Sequence, residues 1–186
     1  MSDYITTYTG VHIIPTRPEP ELIRIADIAH ALSLTCRGNG HVKTFFSVGQ
    51  HCIHCALEAK ERGCSDRVVL ACLLHDAAEA YMSDVPRPFK QYLDGYRDCE
   101  ERLLALIYTK YLGSVPSAAE AALIKEIDDD MLCYDLSVLL KEPSDGPLPA
   151  MRSTFSYKVL PFDDVERRYL ELFREYGGNL SGDGCF

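Results

Sequence analysis

Val68-Val69-Leu70-Ala71-Cys72-Leu73-Leu74 runs without a polar residue straight into His75-Asp76, with Glu79 and Asp84 close behind. A helix that is apolar nearly all round belongs in a protein interior. This run therefore predicts an inner helix with a histidine and three carboxylates at or just beyond its end. Buried ionisable groups are costly unless they are paired or hold a metal. At helical spacing Cys72, Asp76 and Glu79 share one face, with His75 at its edge. Ser83-Asp84-Val85-Pro86-Arg87-Pro88 then ends the helix, because each proline fixes its own φ and restricts the residue before it. Asp84 is expected on a stiff loop over the helix end. Taken alone, a His-Asp pair is also what a buried tie between two helices looks like. Ligands arriving from elsewhere in the chain would make it a metal site.

The flanking sequence is helical in pattern. Residues 1–18 read as a short extended arm and a proline-punctuated loop, with the first helix starting near Pro20 and running to about Cys36. His30 sits at the core edge of that helix. Arg37-Gly38-Asn39-Gly40-His41 makes a flexible turn with a cation and an imidazole. Ser47-Val48-Gly49-Gln50 is a capping box for a second helix that stops at Gly63. There Val48, Cys52, Cys55, Ala56 and Ala59 form the apolar stripe. His51 lies at the stripe's edge, able to face inward, while His54 falls among Glu58 and Glu61, toward water. Ser65 caps the third helix, which carries His75, Asp76 and Glu79. A fourth helix is expected from Phe89 to Leu112, and a fifth from the capping box at Ser117 to about Lys141. On the fifth, Asp128 and Asp135 share the inward arc of Ile124, Met131 and Leu139, whereas Asp129 and Asp130 point away. Residues 142–161 form an irregular excursion, a last helix covers 163–176, and the tail from Asn179 is expected to be mobile. No strand-like alternation of useful length occurs. The expectation is an all-α fold: a bundle of about six helices behind a short irregular N-terminal arm. It forms a single domain over residues 1–186, with its core at about 19–141.

Composition narrows the function. No apolar run approaches the ~20 residues that span a bilayer, and the N-terminus lacks a signal peptide's basic and apolar blocks. A cytoplasmic protein without a membrane partner is expected. The net charge of −9 argues against an extended nucleic-acid surface. It leaves room for a small anionic substrate, because a metal and a few local cations set the field inside a cleft. The 8 cysteines do not read as a disulfide framework, since most fall in helical patterns as small buried apolar groups. Cys52 and Cys55 form a C-x-x-C, but mid-helix and with no second pair at finger spacing, so they do not read as structural zinc.

His51, His75-Asp76 and Asp128 stand in the order H…HD…D, each element on its own helix. With DIAHALS at 27–33, CRGNGH at 36–41, FSVGQH at 46–51, LLHDAAEAYMSDVPRPFK at 73–90 and IKEIDDDML at 124–132, the chain resembles the HD-domain metal-dependent phosphohydrolases. It is most similar to their 5′-deoxynucleotidase-like branch in bacteria and phages. The likeness covers about residues 6–140. It implies one divalent transition metal ion (Mn, Co, Zn, Fe or Ni) held by His51, His75, Asp76 and Asp128. Two imidazoles and two carboxylates suit such an ion, which acts as a Lewis acid. The resemblance places catalytic roles on Glu79 and Asp84, one activating or orienting water and one protonating the leaving sugar oxygen. It places nucleotide binding on Arg37, with His41, Arg87 and Lys90 as further phosphate contacts. The chain departs from the family at Gly49-Gln50, where Ala-Glu is usual, and at Gly38, where an aromatic often follows the arginine.

The activity so implied is hydrolysis of deoxynucleoside 5′-monophosphates to deoxynucleoside and phosphate, by a homodimer with a small nucleotide as its partner. A deoxynucleoside triphosphate triphosphohydrolase is the alternative within hydrolases. A catalytically silent nucleotide-binding or dimerisation module is the alternative outside them.

Overall fold

The computed structural model describes residues 3–141 and 146–178. The C-terminal tail, expected to be mobile, lies outside the described residues. Two strands of two residues each, β1 (Ile5–Thr6) and β2 (His12–Ile13), pair antiparallel in the N-terminal arm. The rest is helical: α1 (Ile25–Leu34), α2 (Val48–Glu61), α3 (Asp66–Leu74), α4 (Glu79–Met82), α5 (Arg87–Lys90), α6 (Tyr96–Leu112), α7 (Ala118–Leu139) and α8 (Phe162–Glu175). With α4 and α5 only four residues long, six substantial helices remain, as the all-α expectation requires.

Local chemistry sets most boundaries. Ser47 accepts from the Gln50 N–H while the Gln50 side chain returns to the Ser47 N–H, and Ser117 and Glu120 repeat that box at the start of α7. Ser65 accepts from the Val68 N–H at the start of α3. Three boundaries differ from the sequence reading. Pro20 heads a short 3₁₀ turn, and α1 starts only at Ile25. The expected helix from Phe89 to Leu112 is broken, because Gly95 takes a left-handed φ of 74° and α6 begins after it. Regular α3 stops at Leu74, so His75 and Asp76 occupy the turn joining α3 to α4.

Helix α2 is the hub of the bundle. It lies against α1, α3, α7 and α8, most extensively against α3, while α8 packs along α1. Gly49 makes the close approach feasible: a Cβ there would stand 3.2 Å from the Leu32 backbone and from a Val165 methyl. The departure from Ala at this position thus has a packing cause. The core is one continuous cluster that includes Ile28, Leu32, Cys52, Ala56, Leu73, Leu74, Ile107, Met131, Tyr169 and Phe173. The free cysteines Cys52, Cys55 and Cys72 are buried within it.

The return from Gly146 to Pro161 is irregular but docked. Its backbone N–H groups at Arg152 and Ser153 donate to the buried Glu58 carboxylate, at 3.1 and 2.9 Å, and Arg62 Nε donates to the same group at 2.8 Å. Phe155 and Tyr157 then cover His54, which also meets Phe46. His54 is therefore buried, contrary to its expected place facing water. Helix periodicity had set it beside two glutamates, and the aromatic cover comes from a segment with no periodicity to read. Burial lowers the His54 pKa to about 4, chiefly by desolvating the imidazolium.

Candidate metal centre

The first turn of α2, the turn after α3 and the middle of α7 meet at one point. His51 is fully buried there and its two ring nitrogens have different neighbours. Nδ1 is 2.7 Å from Asp135 Oδ2, and Nε2 is 3.1 Å from Asp128 Oδ1 and 4.0 Å from Asp76 Oδ2. His75 repeats the pattern. Its Nδ1 lies 2.7 Å from the Cys72 carbonyl oxygen, which can only accept, so Nδ1 carries the proton. Its Nε2 lies 3.3 Å from Asp76 and 3.4 Å from Asp128, buried and without a hydrogen bond. In the neutral ring Nε2 is then a lone pair facing two carboxylates, an arrangement that calls for a cation between them.

That cation is either a second proton on each ring or a metal. With no metal, burial works to lower the pKa of both histidines, but the surrounding carboxylates outweigh it and hold both well above 6.5. Burial likewise opposes ionisation of Asp76 and Asp128, yet the facing imidazoles hold both carboxyls far below the usual range. With a metal, bonds of about 2.0–2.2 Å place adjacent ligand atoms about 3.0–3.5 Å apart. The separations of 3.1, 3.3 and 3.4 Å are of that size. His51, Cys55, His75 and Asp128 each offer a donor atom within 4.8 Å of the others, and Cys52, His75 and Asp76 form a second such group. The residues present fit a first-row divalent ion.

Groups behind the histidines fix their orientation. Asp135 holds the His51 ring and itself accepts from the Tyr157 hydroxyl at 2.6 Å. A carboxylate behind a ligating histidine sets the tautomer and raises its basicity. Among the neighbouring carboxylates of α7, Asp129 pairs with Arg87 and Lys125, and Asp130 pairs with Arg62. Only Asp128 of that triplet joins the histidines.

A cavity of about 630 Å³ opens over His75, Asp76 and Asp128. His51 lies buried behind it, and the remaining residues expected in the site line it: Arg37, His41, Glu79, Asp84, Arg87 and Lys90. Arg37 donates to Asp76 Oδ2 at 3.1 Å, so the turn that carries it is anchored rather than merely solvated. Gly38, at a φ of 58°, turns its N–H onto Asp84 Oδ2 at 3.0 Å. A glycine in the aromatic's usual place therefore caps Asp84 instead of offering a ring. Arg87 reaches Asp128 and Asp129 at 2.6 and 2.9 Å. Lys90 lies between Glu100 and Glu79, at 2.5 and 3.7 Å. Glu79 is 5% exposed, with one carboxyl oxygen unpartnered. Burial, reinforced by Asp76 and Asp84, pushes its pKa well above 4.5 against the pull of Arg37 and Lys90. His41 is exposed at the rim. Leu104, Leu132, Leu136 and Leu139 form an apolar side wall.

Two residues of the centre escaped the sequence reading. Tyr157 lies in an aperiodic segment and carries no local signal. Cys55 does carry one, since it stands four residues after His51 and so on the same helical face.

No family model matches the chain. The chain is 37% identical over 108 residues to the uncharacterized protein YfdR of Escherichia coli K12, a match covering 58% of each chain. It is 33% identical over 99 residues to an uncharacterized protein of Rhodobacter capsulatus, covering 50% of each. The matched part thus spans about half the length of these curated relatives. No helix among the described residues is long and apolar enough to cross a membrane.

Proposed function

We propose that this protein is an HD-type metal-dependent phosphohydrolase that converts deoxynucleoside 5′-monophosphates to deoxynucleoside and phosphate. The observation that carries the reading is the pair of imidazoles with proton-bearing Nδ1 atoms held from behind and Nε2 atoms converging on Asp76 and Asp128. His51, His75, Asp76 and Asp128 would hold a divalent ion, which supplies Lewis-acid polarisation and charge neutralisation for a phosphoryl group.

The chain's own groups account for the proton transfers. Burial raises the Glu79 pKa well above its ordinary value, which suits the group to protonate the leaving sugar oxygen. Asp84, held by the Gly38 N–H, is the acceptor left to orient the attacking water. Arg37, Arg87 and Lys90 hold the phosphate, and the leucine wall takes the apolar face of the nucleoside. A monophosphate is favoured over a triphosphate because Glu100 and Glu101 line the same cavity and would repel a polyphosphate chain.

The test is a panel of deoxy- and ribonucleoside mono- and triphosphates offered to the metal-loaded protein, with phosphate and tripolyphosphate measured separately. Free phosphate from deoxynucleoside monophosphates is expected. Tripolyphosphate would make the triphosphohydrolase alternative correct. No turnover of any member by metal-replete protein would leave a silent binding or dimerisation module.

A further inference from the structure

His51 and Cys55 project from the same face of α2, one helical turn apart. Cys55 Sγ stands 3.5 Å from His51 Nε2. That nitrogen is the one aimed at the carboxylates, not the one held by Asp135. The sulfur also lies within 4.8 Å of the donor atoms of His75 and Asp128. Metal–sulfur and metal–nitrogen bonds of about 2.3 and about 2.0–2.1 Å, at a tetrahedral angle, put the two ligand atoms about 3.5 Å apart. A second observation points to the same spot: His75 Nε2, on a side chain 8% exposed, is aimed into this group without a hydrogen-bond partner. Asp76 belongs to the adjacent group with Cys52 and His75 and stands 4.0 Å from His51 Nε2. Cys55 therefore completes a quartet with His51, His75 and Asp128.

We propose that Cys55 is a ligand of the metal centre, which becomes a mixed nitrogen, oxygen and sulfur site selective for thiophilic first-row ions such as zinc, iron or cobalt over manganese and magnesium. The proposal rests on the metal-centre reading above and names one more ligand for it. As the metal–sulfur bond forms, the S–H bond breaks and its proton leaves to solvent, so uptake of the ion releases a proton from Cys55. A soft donor raises affinity for zinc, iron and cobalt far more than for oxygen-seeking ions. Cys52, whose sulfur lies in the adjacent group with His75 and Asp76 rather than beside His51, is the internal comparison.

Cobalt(II) titration of the metal-free full-length protein tests it, read by absorption. Cobalt bound by nitrogen and oxygen gives visible ligand-field bands, while a thiolate adds an intense near-ultraviolet charge-transfer band. Wild type should show both. Cys55→Ala should keep the visible bands and lose the near-ultraviolet one, with its zinc-to-manganese affinity ratio falling by about tenfold or more. Cys52→Ala should keep both bands. Visible bands without the charge-transfer band in wild type, or a band that survives Cys55→Ala or vanishes in Cys52→Ala, would overturn the assignment while leaving the metal centre standing. Absence of any cobalt spectrum would remove the metal centre itself. Cys55→Ser, which keeps the size of the side chain, carries the same test if Cys55→Ala fails to fold: the near-ultraviolet band should be lost, and its survival would overturn the assignment.

Discussion

His75, on the inner wall of the cavity, and His51, buried just behind that wall, are each held from the far side, by the Cys72 carbonyl and by Asp135. Arg87, on the outer wall, has a side chain 57% exposed and is held by the carboxylates in front of it. Lys90 is likewise engaged by Glu100 and Glu79. The inner wall keeps its shape whatever enters the cavity. A phosphate reaching the outer wall must take its cations from carboxylates that already hold them. Chemistry and metal affinity should therefore depend steeply on inner residues, and substrate binding only modestly on outer ones.

Glu79 offers the strongest contrast. Glu79→Gln removes the buried acid without touching a metal donor, so turnover should fall by roughly 10²-fold or more while bound metal is unchanged. Near-wild-type kcat in that variant would take the proton transfer away from Glu79.

Behind the ligands, Asp135→Asn should weaken metal affinity by about 10–100-fold, because the His51 ring loses the carboxylate that orients it. Excess metal should restore most activity. Tyr157→Phe, one step further out, should act in the same direction and less. Unchanged metal affinity in both would reduce this support to simple packing.

On the outer wall, Arg87→Ala should raise KM for a nucleotide by no more than about fivefold, in keeping with about 1 kcal/mol for an exposed ion pair. The effect should fade at high salt. A hundredfold loss would mean that the outer wall is as preorganised as the inner one.

His54 probes the seam between the docked C-terminal return and α2. Its folded pKa of about 4 lies below the ordinary 6.5, so the unfolded chain takes up the proton first. Stability from the neutral ring is present above pH 6.5 and lost as pH falls toward 4. Between pH 6.5 and 5.5, denaturant melts should register a loss of about 1 kcal/mol that His54→Phe does not share. Parallel pH profiles for the two proteins would contradict the burial of His54.

Much of this was legible beforehand because it is local. Caps at Ser47, Ser65 and Ser117 and the inward arc of α7 follow from spacing within a few residues. The ordered set His51, His75, Asp76 and Asp128 is what the family resemblance implies, and the fold brings these four side chains together. What escaped is long-range or depends on one dihedral. Phe155 and Tyr157 reach α2 from about a hundred residues downstream in sequence, through a segment without period. Gly95 interrupts a good amphipathic pattern through a left-handed conformation that the pattern does not encode. Cys55 has the pattern of an apolar filler, which its burial supports, although the same side chain also faces His51.

Metal content of wild type and of the three α7 aspartate variants tests the inner wall most directly. Purified wild type should carry about one divalent transition-metal ion per chain, not necessarily the ion it works with, since affinity follows the metal series. Asp129→Ala and Asp130→Ala, which lose only their pairs with Arg87, Lys125 and Arg62, should keep the metal and the activity. Asp128→Ala should lose both together. A metal-replete Asp128→Ala protein, or an active wild type free of metal, would contradict the metal centre described here.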